Sequence, residues 1–435
     1  MLLIYTYKIT PRISYIFKHI LFRMLNIPFQ FTTKEEEFIP YKGPKISYID
    51  KPIIDEISIK PHFLLFQQGV NDVEINVSNW DDVPCFFKTN AKGIIPYDIF
   101  AASFYLISRY EEYLPHVLDH HLRFSGDNCL AKKHHFLEKP VIDIWALKLL
   151  QLLKTKFPNL KYQERKFNYL STIDVDIAFS YKQKGIIRSL IGYFKDFIKL
   201  DVANLKTRTL VLLNFQKDPF DTFDQLIEIQ EKYKIKTHFF FLLADYTEFD
   251  TNNFVNSPKF QSLIKSVADF AKVGIHLSYF TMKNFDKLKK EVKRLEVIIH
   301  NPVKMSRQHF LRLKLPDTYH HLIDVEIAED YTMGYSKHPG FRASTCSPFY
   351  FYDLDYEVQT PLKIIPFAVM DATLNEYMNL NPEEGFQKIM QLLNEVKQVN
   401  GTFVTLFHNE TLSESKRWKG WSTIYERVVQ QSVAV

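Results

Sequence analysis

The segment FNYLSTIDVD, residues 167–176, gives the clearest indication of the fold in this sequence. Its apolar and β-branched residues are typical of a β-strand, and two aspartates, Asp174 and Asp176, stand at its end. Side chains alternate along an extended strand, so the two carboxylates lie on the same face. Two like charges this close cannot both stay ionised without help, which predicts either a shared proton or a nearby cation.

Similar strand-like runs return along the rest of the chain, separated by helical patterns. Strands are predicted at 167–175, 236–243, 273–277, 304–309, 338–343, 362–370 and 401–408. Helices are predicted at 221–234, 258–272, 284–300, 316–324 and 382–398. About seven strands alternating with helices predict an α/β fold with a parallel sheet. For residues 165–435, a deformed (β/α) barrel, closed or nearly closed, is the economical arrangement.

Residues 1–160 are predicted to form a smaller α/β domain of unknown role. A length of 435 residues suits two domains, and helical spacing is found at 95–113 and from about 140 to 154. Hydrophobic residues make up 46% of the chain and charged residues 24%, which are values typical of globular proteins. The net charge of +5, spread over this length, does not indicate a nucleic-acid partner.

The cysteines and the N-terminus bear on location. Cys85, Cys129 and Cys346 are widely spaced and odd in number, which argues against a disulfide framework and favours a reducing compartment. The apolar stretch at 1–29 is interrupted by basic residues before a signal-peptide core or membrane span forms. We therefore expect a cytoplasmic protein. The stretch either makes peripheral contact with the inner membrane surface through a basic amphipathic face or packs as a helix on its own domain.

Polar residues also stand where the other predicted strands end. They are His276 and Ser278 after the third strand, Arg307 and His309 after the fourth, Arg342 after the fifth, Asp371 after the sixth and His408 after the seventh. In a β/α barrel, these strand ends converge on one mouth. Taken alone, a strand-ending Asp is more often a helix cap or turn former, and a lone His is more often a buried core side chain. As a set, they predict a site in which oxygen and imidazole ligands bind a divalent metal.

The order of these motifs resembles the polysaccharide deacetylases, carbohydrate esterases that remove N-acetyl groups from chitooligosaccharides and peptidoglycan. The similar motifs are STIDVD (171–176), KTHFFFL (236–242), GIHLSY (274–279), the arginine motif GFRAS (340–344), the acidic motif PFAVMDATL (366–374) and the closing histidine motif TLFHNE (405–410). The resemblance covers about residues 165–435. The N-terminal part resembles a poorly characterised domain that precedes the deacetylase part in some bacterial proteins, several of which accompany surface-polysaccharide assembly.

The resemblance implies a role for each matched residue. Asp174 is the general base, Asp176 and His276 are metal ligands, and His408 is the general acid. The implied cofactor is a divalent metal, zinc first, with cobalt and manganese as alternatives. The implied substrate is an acetylated carbohydrate.

Further residues are expected to support these. Arg342 is implied to orient Asp174, and Asp371 to orient His408. The predicted substrate contacts are Ser278, Tyr279 and Arg307.

The sequence departs from the family pattern at one ligand position. The second motif needs histidines at i and i+4, but Phe280 stands four residues after His276. His309 is the candidate substitute, because it ends the next predicted strand and neighbouring parallel strands lie about 5 Å apart.

The predicted function is metal-dependent removal of N- or O-linked acetyl groups from a bacterial carbohydrate or glycan precursor. One alternative is a carbohydrate-binding protein on the same fold whose catalytic site has lapsed, for which Phe280 argues. Another is a different barrel hydrolase such as a metallo-phosphoesterase, which would need more His and Asp ligands. A pure binder has no need of Asp174 and His408 together, and this favours the enzyme.

Overall fold

The strands and helices are those of a computed structural model that describes residues 1–89 and 95–434. The strands are β1 (Leu2–Thr6), β2 (Phe29–Thr32), β3 (Lys45–Tyr48), β4 (Ile57–Ile59), β5 (Ser78–Trp80), β6 (Val83–Cys85), β7 (Asn168–Val175), β8 (Lys236–Leu242), β9 (Lys272–Leu277), β10 (Met305–Gln308), β11 (Glu329–Asp330), β12 (Phe349–Asp353), β13 (Val358–Ile364), β14 (Val369–Met370) and β15 (Thr402–His408). The α-helices are α1 (Pro11–Phe17), α2 (Glu35–Phe38), α3 (Ile99–Ile107), α4 (Leu130–Lys133), α5 (Val141–Lys156), α6 (Ile186–Ile198), α7 (Val202–Leu212), α8 (Phe223–Tyr233), α9 (Pro258–Phe270), α10 (Phe285–Ile299), α11 (Asp317–Asp324), α12 (Pro382–Gln398) and α13 (Ser422–Val433).

A nine-stranded sheet with the order β12-β13-β11-β10-β9-β8-β7-β15-β14 organises the C-terminal part. All its pairings are parallel except β12 with β13. The predicted α/β class with a large parallel sheet is therefore confirmed. Within the described residues, no pairing joins β12 to β14, so the sheet is open and the expected barrel is not closed.

The segment 338–343 explains part of this difference, because it was expected to be a strand and is not one. The N–H of Phe341 donates to the carbonyl of Leu137 (2.7 Å), and the N–H of Gly340 donates to the carbonyl of Ala368 (2.7 Å). Gly340 has a φ of +123°, and a Cβ there would lie 2.5 Å from the Leu137 carbonyl oxygen. In this segment, a carbonyl of the N-terminal part therefore accepts a backbone hydrogen bond that a neighbouring strand would accept in a sheet.

The N-terminal part has its own four-stranded parallel sheet, with the order β2-β1-β3-β4. Helix α3 begins at Asp98, whose carboxylate accepts the N–H groups of Phe100 (3.1 Å) and Ala101 (3.0 Å) as an N-cap. The buried apolar cluster beneath the sheet continues into the C-terminal part, where the rings of Phe104 and Tyr352 lie 5.1 Å apart. The two parts thus pack on each other through their cores.

The apolar N-terminal stretch packs into this core. The side chains of β1 are buried, and so are Ile13, Ile16, Phe17 and Ile20 in and after α1. Packing on its own domain, one of the two expectations for this stretch, accounts for these buried positions. Peripheral membrane contact stays a prediction, since Tyr7, Ile9 and Phe22 of the same stretch are exposed. None of the described helices combines the length and the apolar character that crossing a membrane requires.

Candidate active site

Strand β7 brings the two aspartates to the C-terminal edge of the sheet. Asp174 is the next-to-last residue of the strand and is almost completely buried, whereas Asp176 follows the strand and is partly exposed. Asp174 lies opposite His408 in the register of β7 with β15. On the other side, His276 of β9 lies opposite Arg307 of β10. The polar strand ends are therefore level across the sheet, as a parallel sheet requires.

Asp176, His276 and His309 form a cluster with the composition of a metal site. One ligand atom from each lies within 4.8 Å of the other two. Nε2 of His276 is 3.2 Å from Oδ1 of Asp176, and Nε2 of His309 is 3.6 Å from Oδ2. One carboxylate and two imidazoles suit zinc, which takes three protein ligands in catalytic sites. Phe280 is outside this cluster, and His309 from the neighbouring strand end lies where a third ligand is needed.

Hydrogen bonds on the far side of each ring orient the two imidazoles. Nδ1 of His276 lies 3.0 Å from the carbonyl oxygen of Arg307, and Nδ1 of His309 lies 2.9 Å from Asp250. Since a carbonyl oxygen can only accept, Nδ1 of His276 carries the proton. In the neutral tautomer with this Nδ1 proton, Nε2 would point a lone pair at Asp176. Oδ1 of Asp176 is buried and accepts no hydrogen bond from the described residues. A lone pair facing a carboxylate needs a cation or a proton between them, so the donor set fits a metal ion.

The charges of the cluster are strongly coupled. Burial favours a neutral carboxyl, but the imidazoles of His309 and His276 outweigh it and hold the pKa of Asp176 well below its ordinary value. Burial likewise opposes a charge on His309, yet the carboxylates of Asp176 and Asp250 raise its pKa to about 9. Without metal, protons thus occupy this cluster near neutral pH, and a metal ion has to displace them.

Asp174 is held by Arg307, not by Arg342 as expected. The guanidinium of Arg307 donates to Asp174 at 2.6 Å, to the hydroxyl of Thr172 at 2.9 Å and to the carbonyl of Tyr331 at 2.9 Å. Arg307 is fully buried, which leaves no surface for a substrate contact and corrects that expectation too. The guanidinium fixes the Asp174 carboxyl group through a charge-assisted hydrogen bond.

Arg342 lies in a different cluster. Its guanidinium donates to Glu112 at 2.6 and 3.0 Å and to the carbonyl of Gly334 at 3.2 Å. Its own carbonyl accepts from Arg109. Because the segment around it is not a strand, Arg342 is directed to the N-terminal part, and its observed role is to join the two parts of the chain.

His408 ends β15 and is oriented by Asp371, which follows β14. The carboxylate of Asp371 accepts from Nδ1 of His408 (2.7 Å), from its backbone N–H (2.7 Å) and from the hydroxyl of Thr411. Burial opposes a charge on His408, but Asp371, Asp176 and Asp174 outweigh it and raise its pKa to about 10. Nε2 of His408 faces Asp176 across 3.8 Å. His408 is therefore a protonated imidazole with a donor directed into the site.

Ser278 and Tyr279, expected to contact substrate, are buried behind the site. The hydroxyl of Ser278 donates to Glu291 at 2.5 Å. The hydroxyl of Tyr279 lies 3.1 Å from Nδ1 of His121, and its ring stacks on Phe249. Within the described residues, neither lines the cavity that holds the metal cluster.

This cavity has a volume of about 260 Å³ and opens above the strand ends. Its floor is formed by Asp174, Asp176, His276, His309 and His408. Its walls are formed by Arg123, Gln308, Phe310, Leu311, Ser336, Met370, Ala372, Glu376, Tyr377, Glu410, Arg417 and Trp418. The described parts of the chain thus bring every predicted site residue into or beside one cavity except Arg342, Ser278 and Tyr279.

The sequence did not point to Asp250 or Arg123. Asp250 lies in the loop between β8 and α9, where Asp245 and Glu248 are equally plausible from composition. Arg123 comes from the N-terminal part, donates to the carbonyl of Phe310 and pairs with Asp119. No periodicity or spacing singles out either residue, because their positions depend on how loops pack against the sheet.

The family comparison matches the N-terminal part of the chain. Residues 2–158 match the model of a family of unknown function (DUF7033). No curated protein matches the chain.

Several solved structures similar to this chain are described as polysaccharide deacetylases or as CE4 family proteins. One is a Mycobacterium smegmatis protein provisionally assigned as a polysaccharide deacetylase, with 12% identity and a TM-score of 0.40 over 63% of this chain and 87% of that chain. Another is a CE4 family pseudoenzyme from Bacillus anthracis, with 12% identity and a TM-score of 0.30 over 62% and 63%. A third is the polysaccharide deacetylase Bc1974 from Bacillus cereus, with 11% identity and a TM-score of 0.29 over 61% and 88%. Similarity this distant carries no functional argument, so the function is judged on the residues of the site.

Proposed function

We propose that this protein is a metal-dependent deacetylase that hydrolyses N- or O-linked acetyl groups of a carbohydrate. The proposal rests on one observation. The metal cluster and two oriented proton-transfer groups, Asp174 and His408, line the same cavity. A binding protein needs neither group. Both have a buried partner that fixes them, which weighs against a lapsed site.

Asp176, His276 and His309 would hold the metal, and zinc suits this donor set best. The metal supplies a Lewis acid that polarises the acetyl carbonyl and activates water. The chain's own residues move the protons. Asp174, oriented by Arg307, accepts a proton from the attacking water. His408, kept protonated by Asp371, donates one to the departing nitrogen or oxygen as its bond to the acetyl carbon breaks. The products are acetate and the free amine or hydroxyl.

The cavity walls include two residues whose polar nitrogens lack a partner among the described residues. The side-chain amide nitrogen of Gln308 and the indole nitrogen of Trp418 are buried without a hydrogen-bond partner among the described residues. Both residues line the cavity but are almost completely buried, so their N–H groups would reach sugar oxygens only if the side chains move. Arg123, from the segment that matches the family of unknown function, gives that N-terminal part a place in the cavity wall.

Acetate release tests the proposal. The chelated protein, reloaded with zinc, cobalt or manganese, is assayed on N- and O-acetylated oligosaccharides and nucleotide sugars. We expect release with at least one metal and one substrate, and none from Asp176→Asn. No release from the whole panel, with metal shown to be bound, would contradict the proposal.

A further inference from the structure

The helical hairpin formed by α6 and α7 presents its apolar side to solvent. Seven large apolar side chains of α6 are between 49% and 81% exposed. Ile187, Leu190, Phe194 and Phe197 recur at helical spacing and therefore form one continuous face. A helix on a water-soluble domain normally turns this face toward the core. The face of α6 is too large and too apolar to be left in water without a function.

The polar side of α6 faces the protein instead. Asp196 accepts from Arg208 of α7 (2.8 Å) and from Asn204 (2.7 Å), which ties the two helices together. Arg188 donates to the carbonyl of Asn252 (3.0 Å), and its guanidinium lies 4.0 Å from the centre of the Tyr246 ring. Ion pairs and hydrogen bonds thus hold the hairpin with its apolar face outward, so the exposure is built into the fold.

The charge of the hairpin identifies what covers this face. Eight basic and two acidic residues lie between 182 and 217, so this segment is more positive than the whole chain, whose net charge is +5. Asp196 is one of the two acids and is neutralised by Arg208, while Lys195, Lys199 and Lys206 are exposed beside the apolar face. A second copy of the chain would bring like charges together across a twofold interface. An anionic lipid surface satisfies both the apolar face and the lysines.

We propose that the hairpin 186–212 docks the protein on the surface of an anionic lipid bilayer. The hairpin follows β7 directly and is anchored near the end of that strand, where the N–H of Phe179 donates to Asn253 (2.9 Å) and that of Ser180 to Asp218 (2.7 Å). It therefore leaves the sheet at the same edge as Asp174 and Asp176. The inference does not depend on the proposed function.

Vesicle flotation of the full chain tests the docking without any activity assay. Vesicles of phosphatidylcholine mixed with phosphatidylglycerol are compared with phosphatidylcholine alone, at low and raised salt. We expect binding to the anionic vesicles that weakens with salt. The triple variant Leu190→Ser/Phe194→Ser/Phe197→Ser should lose at least about tenfold in binding, because it removes three apolar contacts with the bilayer. Its circular dichroism and thermal melting should stay unchanged, since all three side chains are exposed.

The matched control is Val117→Ser/Phe270→Ser/Val297→Ser, which removes three exposed apolar side chains elsewhere on the surface. This variant should float as the unaltered chain does. Absence of binding by the unaltered chain, or equal binding by the hairpin variant, would overturn the proposal. A dimer in velocity sedimentation that dissociates in the hairpin variant, with no flotation, would assign the face to a second copy and overturn it as well.

Discussion

The two sides of the cavity carry the same kind of side chain with different partners. On the β9–β10 side, His276 and His309 direct Nε2 at Asp176 from 3.2 and 3.6 Å and form the metal cluster with it. On the β15 side, His408 faces the same carboxylate from 3.8 Å, and Asp371 holds it protonated. Because His309 and His408 both have a carboxylate on Nδ1, the position across the sheet, and neither the residue type nor the Nδ1 partner, separates the two ligands from the acid.

Replacing Asp174 or Asp176 should have the largest effects on activity. The two variants should also differ from each other, one in turnover and the other in metal content. Asp174→Asn removes the proton acceptor, and turnover should fall by about two to four orders of magnitude with metal content nearly unchanged. Asp176→Asn removes a ligand and should lose the metal. Elemental analysis beside steady-state kinetics measures both, and equal metal loss in the two variants would contradict the division.

Variants of the three histidines should also differ in whether they lose the metal or only turnover. His276→Ala and His309→Ala should each weaken metal binding by at least about a hundredfold, since even outer-shell partners contribute about ten- to a hundredfold. His408→Ala should keep the metal and lose turnover. Titration of the chelated variants with zinc gives the affinities. Full metal retention in His309→Ala, or metal loss in His408→Ala equal to that in His276→Ala, would show that the sides are assigned wrongly.

A smaller loss is expected at Asp250, which orients the ring of His309. Asp250→Asn should weaken metal binding by about ten- to a hundredfold, as removal of an outer-shell carboxylate usually does. Asp245→Asn is the matched control, because Asp245 lies in the same loop but pairs with Lys290 and Arg294 away from the site. If the two variants bind zinc alike, Asp250 has no role in the metal centre.

The smallest expected effect is a shift in the pH dependence of kcat. Burial lowers the pKa of His408, but Asp371, Asp176 and Asp174 outweigh it and raise this pKa to about 10. Asp371→Asn removes one negative charge, so the imidazolium is less stable and its pKa falls. The acid form is then lost at lower pH, and the basic limb of the kcat profile should move toward lower pH. A basic limb that stays in place would exclude His408 as the group that titrates there.

The predictions from sequence were most accurate for the strands that end in polar site residues. Strands β7, β8, β9, β10 and β15 lie within one residue of their predicted bounds, and the polar residues at the ends of four of them share the cavity. Arg342 was assigned wrongly because segment 338–343 packs on Leu137 and is no strand. Asp250 and the α6–α7 hairpin were outside the predicted elements. A loop carboxylate has no periodicity, and an outward-facing apolar helix reads like a core helix until its burial is known.

Anomalous scattering from crystals of the zinc-loaded protein tests the metal centre most directly. A peak is predicted about 2.0–2.2 Å from a carboxylate oxygen of Asp176 and from Nε2 of His276 and of His309, with His408 outside bonding distance. A peak bonded to His408 in place of His309, or no ordered zinc between these residues, would contradict the proposed metal centre and the division of the cavity into a ligand side and an acid side.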